Sequence, residues 1–381
     1  MAKNIIKVFV LSAAVMLMFT MSPALAADQA PYLIGVSEPM SGAASSLGVP
    51  VVESIQLAAE VINKNGGVNG HPIKLLIRDD QSKPDVAVAN VRQLIDAGVY
   101  GIIGPNQGSN TLAVAPIVKN AKVPLCAFNN TISITRMNNP YIFRCQINDE
   151  DQVKAALLFA KTKLNARKIG VMYTSDAYGT DAYHAAEGLV KATGVELVGA
   201  EKIDYAATDT TPEWIKLLAK QPQAILLWGS GSSMAVALRN AQQLGNKAPI
   251  IGGQGVATLG IIEAAGSASE GLYLMSLTAP DKVTPSQEQL SKLLKAKHGP
   301  NYQLFIYDTI GWDALHIYAK ALELCKGAKP DMLHAMESIH DLRLASGSYS
   351  FSAGNHDGLG VDSIWIVQVR KGKMYGVQHG F

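Results

Sequence analysis

The residues from Val99 to Thr131 read VYGIIGPNQGSNTLAVAPIVKNAKVPLCAFNNT, and their pattern decides the fold. A short apolar run, Val99–Ile103, leads into a Gly/Asn/Ser turn over Gly104–Asn110 and a helix-like segment over Thr111–Lys119. A second apolar run, Val123–Ala127, ends in the polar turn Phe128-Asn129-Asn130-Thr131. Strand, helix and strand within about thirty residues make a βαβ unit, whose right-handed crossover sets its strands side by side and parallel. Both polar turns then lie at the carboxyl ends of the strands, on the edge where open α/β sheets take ligands. The first turn also opens a helix whose unpaired N–H groups suit an anion, with Ser109 or Asn110 as N-cap. The plain alternative for Ser109, Asn129 and Thr131 is that they cap and turn the chain.

The same alternation extends in both directions. Upstream, a strand at Tyr32–Val36 is followed by the loop Ser37–Gly48 and a helix over Val49–Asn63, with Val52, Ile55, Ala59 and Ile62 at helical spacing. After the Asn65–Gly70 turn and a strand at Ile73–Ile77, Ser82-Lys83-Pro84-Asp85 reads as a helix start with Ser82 capping. Asp79-Asp80 is read as ordering the turn before that helix. Downstream, Tyr141–Gln146 is extended and a second series begins. Its helices are Asp149–Leu164, Tyr178–Ala192 and Pro212–Lys220, and its strands are Lys168–Tyr173, Val195–Ile203, Ala224–Trp228 and Pro249–Ile251. Leu272–Leu277 leads into a crossover, then helices at Ser286–Lys297, Tyr307–Cys325 and Asp331–His340, and a hairpin turned at Lys371-Gly372. Strands alternating with helices mean α/β architecture with parallel sheets.

At 381 residues the chain can bury two full cores, and 48% apolar with 17% charged residues is a globular composition. Residues 1–26, MAKNIIKVFVLSAAVMLMFTMSPALA, read as a signal peptide, with Lys3 and Lys7 before an apolar core and an A-x-A site at Ala24-Leu25-Ala26. The expected product is periplasmic, and it carries no lipid because no cysteine follows the cleavage site. Removing Lys3 and Lys7 from a net charge of +2 leaves the mature chain formally neutral. No basic run exists, so nucleic acid is not an expected partner. Cys126, Cys145 and Cys325 sit in apolar contexts and read as buried free thiols, with a Cys126–Cys145 bridge left open.

With the signal peptide, Glu38-Pro39-Met40-Ser41-Gly42, the Asn65–Gly70 turn, Asp79-Asp80, Ile103-Gly104-Pro105 and Tyr178-Gly179 in this order, the chain resembles one family. It is similar to the periplasmic solute-binding proteins of amino-acid-type ABC importers, the leucine/isoleucine/valine-binding group of the type I periplasmic fold. The resemblance implies two Rossmann-like lobes joined by three crossing strands near Ile147, Ser276 and Ser350–Asn355, closing on ligand. It divides the chain into lobe 1 over 27–147 plus 277–355 and lobe 2 over 148–276 plus 356–381. The family's carboxylate-binding serine falls at Gly108, beside Gln107 and Ser109, and its two partners fall at Asn129 and Thr131. A second-lobe cleft residue matches Asp149, and the tyrosine of the second-lobe turn matches Tyr178. The aromatic that closes over the ligand is here Leu47, next to Ser46, and the acid that pairs with a ligand ammonium group is here Gln254.

Trp228-Gly229-Ser230-Gly231-Ser232-Ser233-Met234 follows a strand and opens a helix, but it lacks the third glycine and the later acid of a dinucleotide fingerprint. It reads instead as a close backbone approach at Gly229 beside an aromatic wall, Trp228, whose plainer reading is core packing. His334 and His340 lie six residues apart, off a common helical face, and no H-E-x-x-H, P-loop or G-x-S-x-G occurs. No cofactor, metal or catalysis is expected. Asp149 opens a helix and can serve as its N-cap or as a ligand contact. An ammonium group in a closed cleft needs an anionic partner. With neutral Gln254 at the family's acid position, the expected ligand is a small aromatic or aliphatic carboxylic acid. A hydrophobic amino acid, paired through Asp149, is the competing ligand. The sequence thus points to a non-enzymatic, monomeric solute-binding protein serving the permease of an ABC importer. The rivals are the ligand-sensing part of a signalling receptor, disfavoured by the cleavable signal, and an exported α/β hydrolase without a nucleophile motif.

Overall fold

The computed structural model describes residues 29–381, so the proposed signal peptide lies outside the described residues. The first half-lobe runs β1 (Tyr32–Glu38), α1 (Ser45–Lys64), β2 (Ile73–Asp79), α2 (Pro84–Asp96), β3 (Gly101–Ile103), α3 (Gly108–Ala121), β4 (Leu125–Ala127), α4 (Ser133–Arg136) and β5 (Ile142–Arg144). Its five strands form one sheet in the order β2-β1-β3-β4-β5, parallel at every pairing. β3, β4 and β5 are buried at every residue, as expected of parallel strands covered on both faces.

The second series runs α5 (Asp149–Lys163), β6 (Lys168–Thr174), α6 (Ala177–Thr193), β7 (Glu196–Ile203), α7 (Thr211–Leu218), β8 (Ala224–Trp228), α8 (Ser233–Gln243), β9 (Ile250–Gly252), α9 (Leu259–Ala265) and β10 (Tyr273–Ser276). The chain then returns as α10 (Glu288–His298), α11 (Ile306–Leu324), α12 (Met332–Glu337) and the two-residue pair β11 (Leu342–Arg343) and β12 (Ser348–Tyr349). It ends as β13 (Trp365–Arg370) and β14 (Lys373–His379), which complete a seven-stranded sheet, β14-β13-β10-β9-β8-β6-β7. β13 pairs antiparallel with β10 and β14. The turn between them has φ of 52° at Lys371 and 69° at Gly372, the twist that suits a two-residue hairpin.

α11 packs against α1 and β3 of the first sheet. Its Tyr318 hydroxyl lies 2.8 Å from the carbonyls of Ile102 and Pro124 and accepts from Ile102 N–H. Gly101 permits this, because a Cβ there would collide with the Tyr318 ring. The thiols of Cys126 and Cys145 are buried and free, whereas Cys325, at the end of α11, is partly exposed.

Several local expectations need correction. Ser82 does not cap α2; Lys83 is the N-cap, and Ser82 adopts φ of 60°. Its hydroxyl accepts from Ala44 N–H and donates to the Ser41 carbonyl, tying down the loop after β1. Asp79 and Asp80 do order the turn before α2, accepting from Gln81 N–H and Ser82 N–H. Asp79 also holds the loop after β1 through Met40 N–H, Ser41 N–H and Ser41 Oγ, because the ends of β1 and β2 are paired. Helix α1 begins at Ser45, before its apolar periodicity does, and α12 is shorter than Asp331–His340. The short α4 and α9 carry too few residues for a periodic signal.

Candidate functional site

A cavity of about 250 Å³ lies between the carboxyl edges of the two sheets. The first lobe lines it with Leu47 of α1, Ser82, Asn106–Ser109 after β3, Phe128–Asn130 after β4, and Tyr307 of α11. The second lines it with Asp176–Tyr178, Tyr205, Ser230 and Gly255, from the turns after β6, β7, β8 and β9. This volume suits a small molecule, just below the usual range of drug-sized pockets.

On the first wall, α3 begins at Gly108 with extended Gln107 as N-cap and no side-chain capping bond. Ser109 and Asn110 therefore do not cap the helix; they sit inside its first turn. Thr111 N–H reaches the Gln107 carbonyl at 3.0 Å, and the N–H groups of Gly108, Ser109 and Asn110 have no partner among the described residues. A helix start with open N–H groups beside a cavity favours an anionic group. Thr131 does not line the cavity. It lies beneath Gly108, where its Oγ1 fills the space a Cβ on Gly108 would need, and this hydroxyl is buried and unpartnered. A serine at 108 would therefore collide with Thr131, and glycine is what this packing admits.

Asn129 donates from Nδ2 to Thr111 Oγ1 at 2.7 Å, and its carbonyl accepts from Arg144 Nη1 at 2.8 Å. Arg144 is wholly buried at the end of β5 and ion-pairs with Asp357 at 2.7 Å. Burial alone would raise the Asp357 carboxyl, yet the Arg144 charge and hydrogen bonds from Arg144 and Thr135 hold it below the usual range. This pair fixes the turn that presents Asn129.

On the second wall, Asp176 caps α6, accepting from Gly179 N–H at 3.1 Å and from Thr174 Oγ1 at 2.6 Å through the same oxygen. Its Oδ2 receives no hydrogen bond from the described residues, and Asp176 is the one formally charged residue on the lining. Tyr178 accepts from Gly255 N–H at 3.1 Å, and burial pushes its phenol well up. The Tyr205 hydroxyl sits beside Ser230 and reaches toward Gln107 on the opposite wall.

Of the residues nominated from sequence, Leu47, Gln107, Gly108, Ser109, Asn129 and Tyr178 line the cavity. Asp149, Trp228 and Gln254 form a sealed layer behind it. Asp149 is fully buried and accepts from Trp228 Nε1 at 2.9 Å. It does not cap α5; Asn148 does, accepting from Asp151 N–H. Burial raises the Asp149 carboxyl well above the usual range, opposed by the Trp228 bond and the Arg144 charge. Trp228 is not a cavity wall, because its indole lies against Gly253, where a Cβ would strike the ring. Gln254 accepts from Asn130 Nδ2 at 2.8 Å and Gln146 Nε2 at 2.7 Å, joining the lobes behind the cavity. Gly229 lies against Thr174, and its neighbour Ser230 faces the cavity instead. Ser46 is exposed at the rim, across from Gly260 of α9. The sequence reading passed over Asp176, although it placed the turn that carries it. Tyr307 enters from a helix far along the chain, with no local signal.

The comparisons with known proteins agree with this architecture. The family model described as "Periplasmic binding protein" matches residues 31–373. A leucine-, isoleucine-, valine-, threonine- and alanine-binding protein of Pseudomonas aeruginosa is 26% identical over 319 residues, covering 84% of this chain and 85% of that protein. The Leu/Ile/Val-binding protein of Escherichia coli is 24% identical over 287 residues, covering 75% and 77%. Among solved structures, a leucine-binding protein from Thermotoga maritima superposes with a TM-score of 0.82 at 23% identity, covering 91% of this chain and 98% of that one. A branched-chain amino acid transporter substrate-binding protein from Streptococcus pneumoniae, in complex with isoleucine, also gives 0.82 at 23% identity, covering 91% and 99%.

Proposed function

Because the chain belongs to the periplasmic binding protein family, we propose that it captures a small zwitterionic amino acid between its lobes and delivers it to an ABC importer. The solute-binding role comes with the family; the ligand and the delivery are our reading. One observation carries it: the open N–H groups at the start of α3 and the Asp176 carboxylate belong to opposite walls of one cavity. The first suits an α-carboxylate, and the second suits an ammonium group, which needs an anion once water is excluded. Leu47, Phe128, Tyr178, Tyr205 and Tyr307 offer the apolar and aromatic surface that an amino-acid side chain would meet. The names of the relatives, which bind leucine, isoleucine and valine, favour the same class.

This reading departs from the expected acid without an ammonium group. That expectation took Asp149 as the one remaining anion, whereas Asp176 stands on the lining. In the periplasm, closure of the two lobes about the three crossing segments would hold the ligand until the permease receives it. Mass spectrometry of the small molecule that co-purifies with the protein is the first test. A calorimetry panel pairing leucine with 4-methylpentanoate, and phenylalanine with 3-phenylpropanoate, is the second. Binding of the amino acids and not their deaminated partners is expected. The reverse order would return the ligand to the simple carboxylic acids.

A further inference from the structure

Behind the first wall lies a polar group that the head-group site leaves unused. Glu38 ends β1 with no exposure, and neither of its oxygens has a regular hydrogen bond among the described residues. Its charged neighbour is another acid, Asp80, whose Oδ2 is likewise buried and unpartnered. Two adjacent buried acids with no cation between them favour holding a proton, and burial with the Asp80 charge pushes the Glu38 carboxyl well up. A protonated Glu38 would carry one O–H donor and still accept at its carbonyl oxygen.

The loop after β3 closes over this acid. Gly104, at φ of 86°, allows the approach, because a Cβ there would run into the Ser37 carbonyl and Glu38 Oε1. Two residues on, Asn106 lines the cavity with its Nδ2 buried and turned inward beside the Glu38 carboxyl. A carboxyl offers this amide an acceptor, which sets Nδ2 inward and leaves Oδ1 as the atom facing the cavity. Leu47, Phe128 and Tyr307 line the same cavity, so a ligand body that enters it can meet both apolar surface and this acceptor. An apolar ligand group packed there would strip water from Oδ1 and return no bond. A site built in this way rejects the analogue that lacks the donor.

We propose that Asn106, oriented by Glu38, makes the cavity select ligands whose body carries a hydrogen-bond donor, such as a side-chain hydroxyl, over their apolar isosteres. The inference deepens the amino-acid reading and rests on it for the placement of the head group. Asn106 is the specificity residue, and Glu38 is a positioning residue that acts through it.

Calorimetry on the full mature protein tests this with matched pairs: threonine and valine, tyrosine and phenylalanine, and 3-(4-hydroxyphenyl)propanoate and 3-phenylpropanoate. In the wild type, the hydroxylated member of the pair that binds should be favoured by roughly tenfold or more. Asn106→Leu should bring that ratio close to one. Glu38→Leu should do the same by freeing the amide, whereas Glu38→Gln keeps an acceptor and should retain the ratio. Because the readout is a ratio, a general loss of stability in any variant does not mimic it. Equal affinities within each pair in the wild type would overturn this inference and leave the amino-acid reading standing. A hydroxyl preference that survives Asn106→Leu would overturn it too. Binding confined to the propanoate pair would bring down the amino-acid reading, and with it this inference unless the hydroxylated acid is still favoured through Asn106; binding of no pair would bring down both.

Discussion

The two walls of the cavity are made from the same kind of strand-end turn, yet they treat their polar groups differently. On the first wall the N–H groups of Gly108, Ser109 and Asn110 stay open, and Gln107 Oε1, Asn129 Oδ1 and Thr131 Oγ1 are buried without regular partners. On the second, Tyr178 is bonded to Gly255, Asp149 to Trp228, and Gln254 to residues of the first lobe. Even so, Asp149 Oδ2, Gln254 Nε2 and the Tyr205 hydroxyl are buried there without regular partners, and Asp176 keeps one oxygen free of hydrogen bonds from the described residues. Unpartnered buried groups destabilise a fold by about 1–3 kcal/mol each, and a ligand that completes them returns that energy as affinity. The first wall is set apart by its open backbone N–H groups, a binding potential for an anionic group. The second offers the Tyr205 hydroxyl and one charged point of attachment, Asp176.

If the open wall is held in place by its own support, breaking that support should have the largest effect of any single change. Arg144→Met removes the cation that pairs with Asp357 and bonds the Asn129 carbonyl, leaving Asp357 as an uncompensated, largely buried charge. A loss of about 3–5 kcal/mol in unfolding free energy is expected from urea titration of the apo protein. A loss below about 1 kcal/mol, small by the same scale, would show that the turn does not depend on the pair.

Arg144 also shows where sequence reasoning stops. The strand ends and turns were readable, because apolar runs bounded by Gly, Asn and Ser are local signals; β8 was placed residue for residue at Ala224–Trp228. Both ligand-facing edges followed from parallel topology. Which way a strand-end residue faces did not follow. Trp228 and Ser230 lie two residues apart in one turn, and the close approach of Gly253 sends the indole behind the cavity. Asp176 was hidden by its other role, since an aspartate before a helix reads first as an N-cap, which it also is. Arg144 and Tyr307 meet the site only through long-range packing, for which one sequence carries no periodicity.

The second wall's charged attachment point gives the next largest effect. Asp176→Asn should weaken binding of an amino acid by about tenfold to a hundredfold, the usual worth of a hydrogen bond to a charged group. Asparagine caps a helix about as well as aspartate, so melting of the apo protein should hardly change. Equal loss of affinity for leucine and 4-methylpentanoate would remove Asp176 from the role of ammonium partner.

Thr131→Val should have a smaller effect, on the first wall alone. It keeps the shape beneath Gly108 and deletes the unpartnered hydroxyl. Because Thr131 does not line the cavity, affinity should fall by at most about fivefold. The apo protein should melt no lower than wild type, because an unsatisfied buried group has been removed. If melting and affinity fell together, the hydroxyl would be structural and the contrast between the walls would weaken.

The smallest effect is expected at Asp149, and it separates the sealed layer from the lining most cleanly. Its carboxyl is buried, accepts from Trp228 Nε1, and is pushed well above the usual range by that burial. Asp149→Asn replaces the carboxyl by an amide of nearly the same shape, and an Oδ1 remains to accept from the indole. Affinity should change by less than about threefold, under the energy of one ordinary hydrogen bond. The sign of the pH dependence is fixed. A carboxyl whose folded pKa is raised contributes stability below its unfolded value and loses it as pH rises through the folded one. The variant cannot ionise, so its melting temperature should gain on wild type as pH rises from the ordinary carboxylate range through the raised folded value. Should the variant instead lose affinity as strongly as Asp176→Asn, with no such crossing in stability, Asp149 would belong to the ligand and the second wall would be as open as the first.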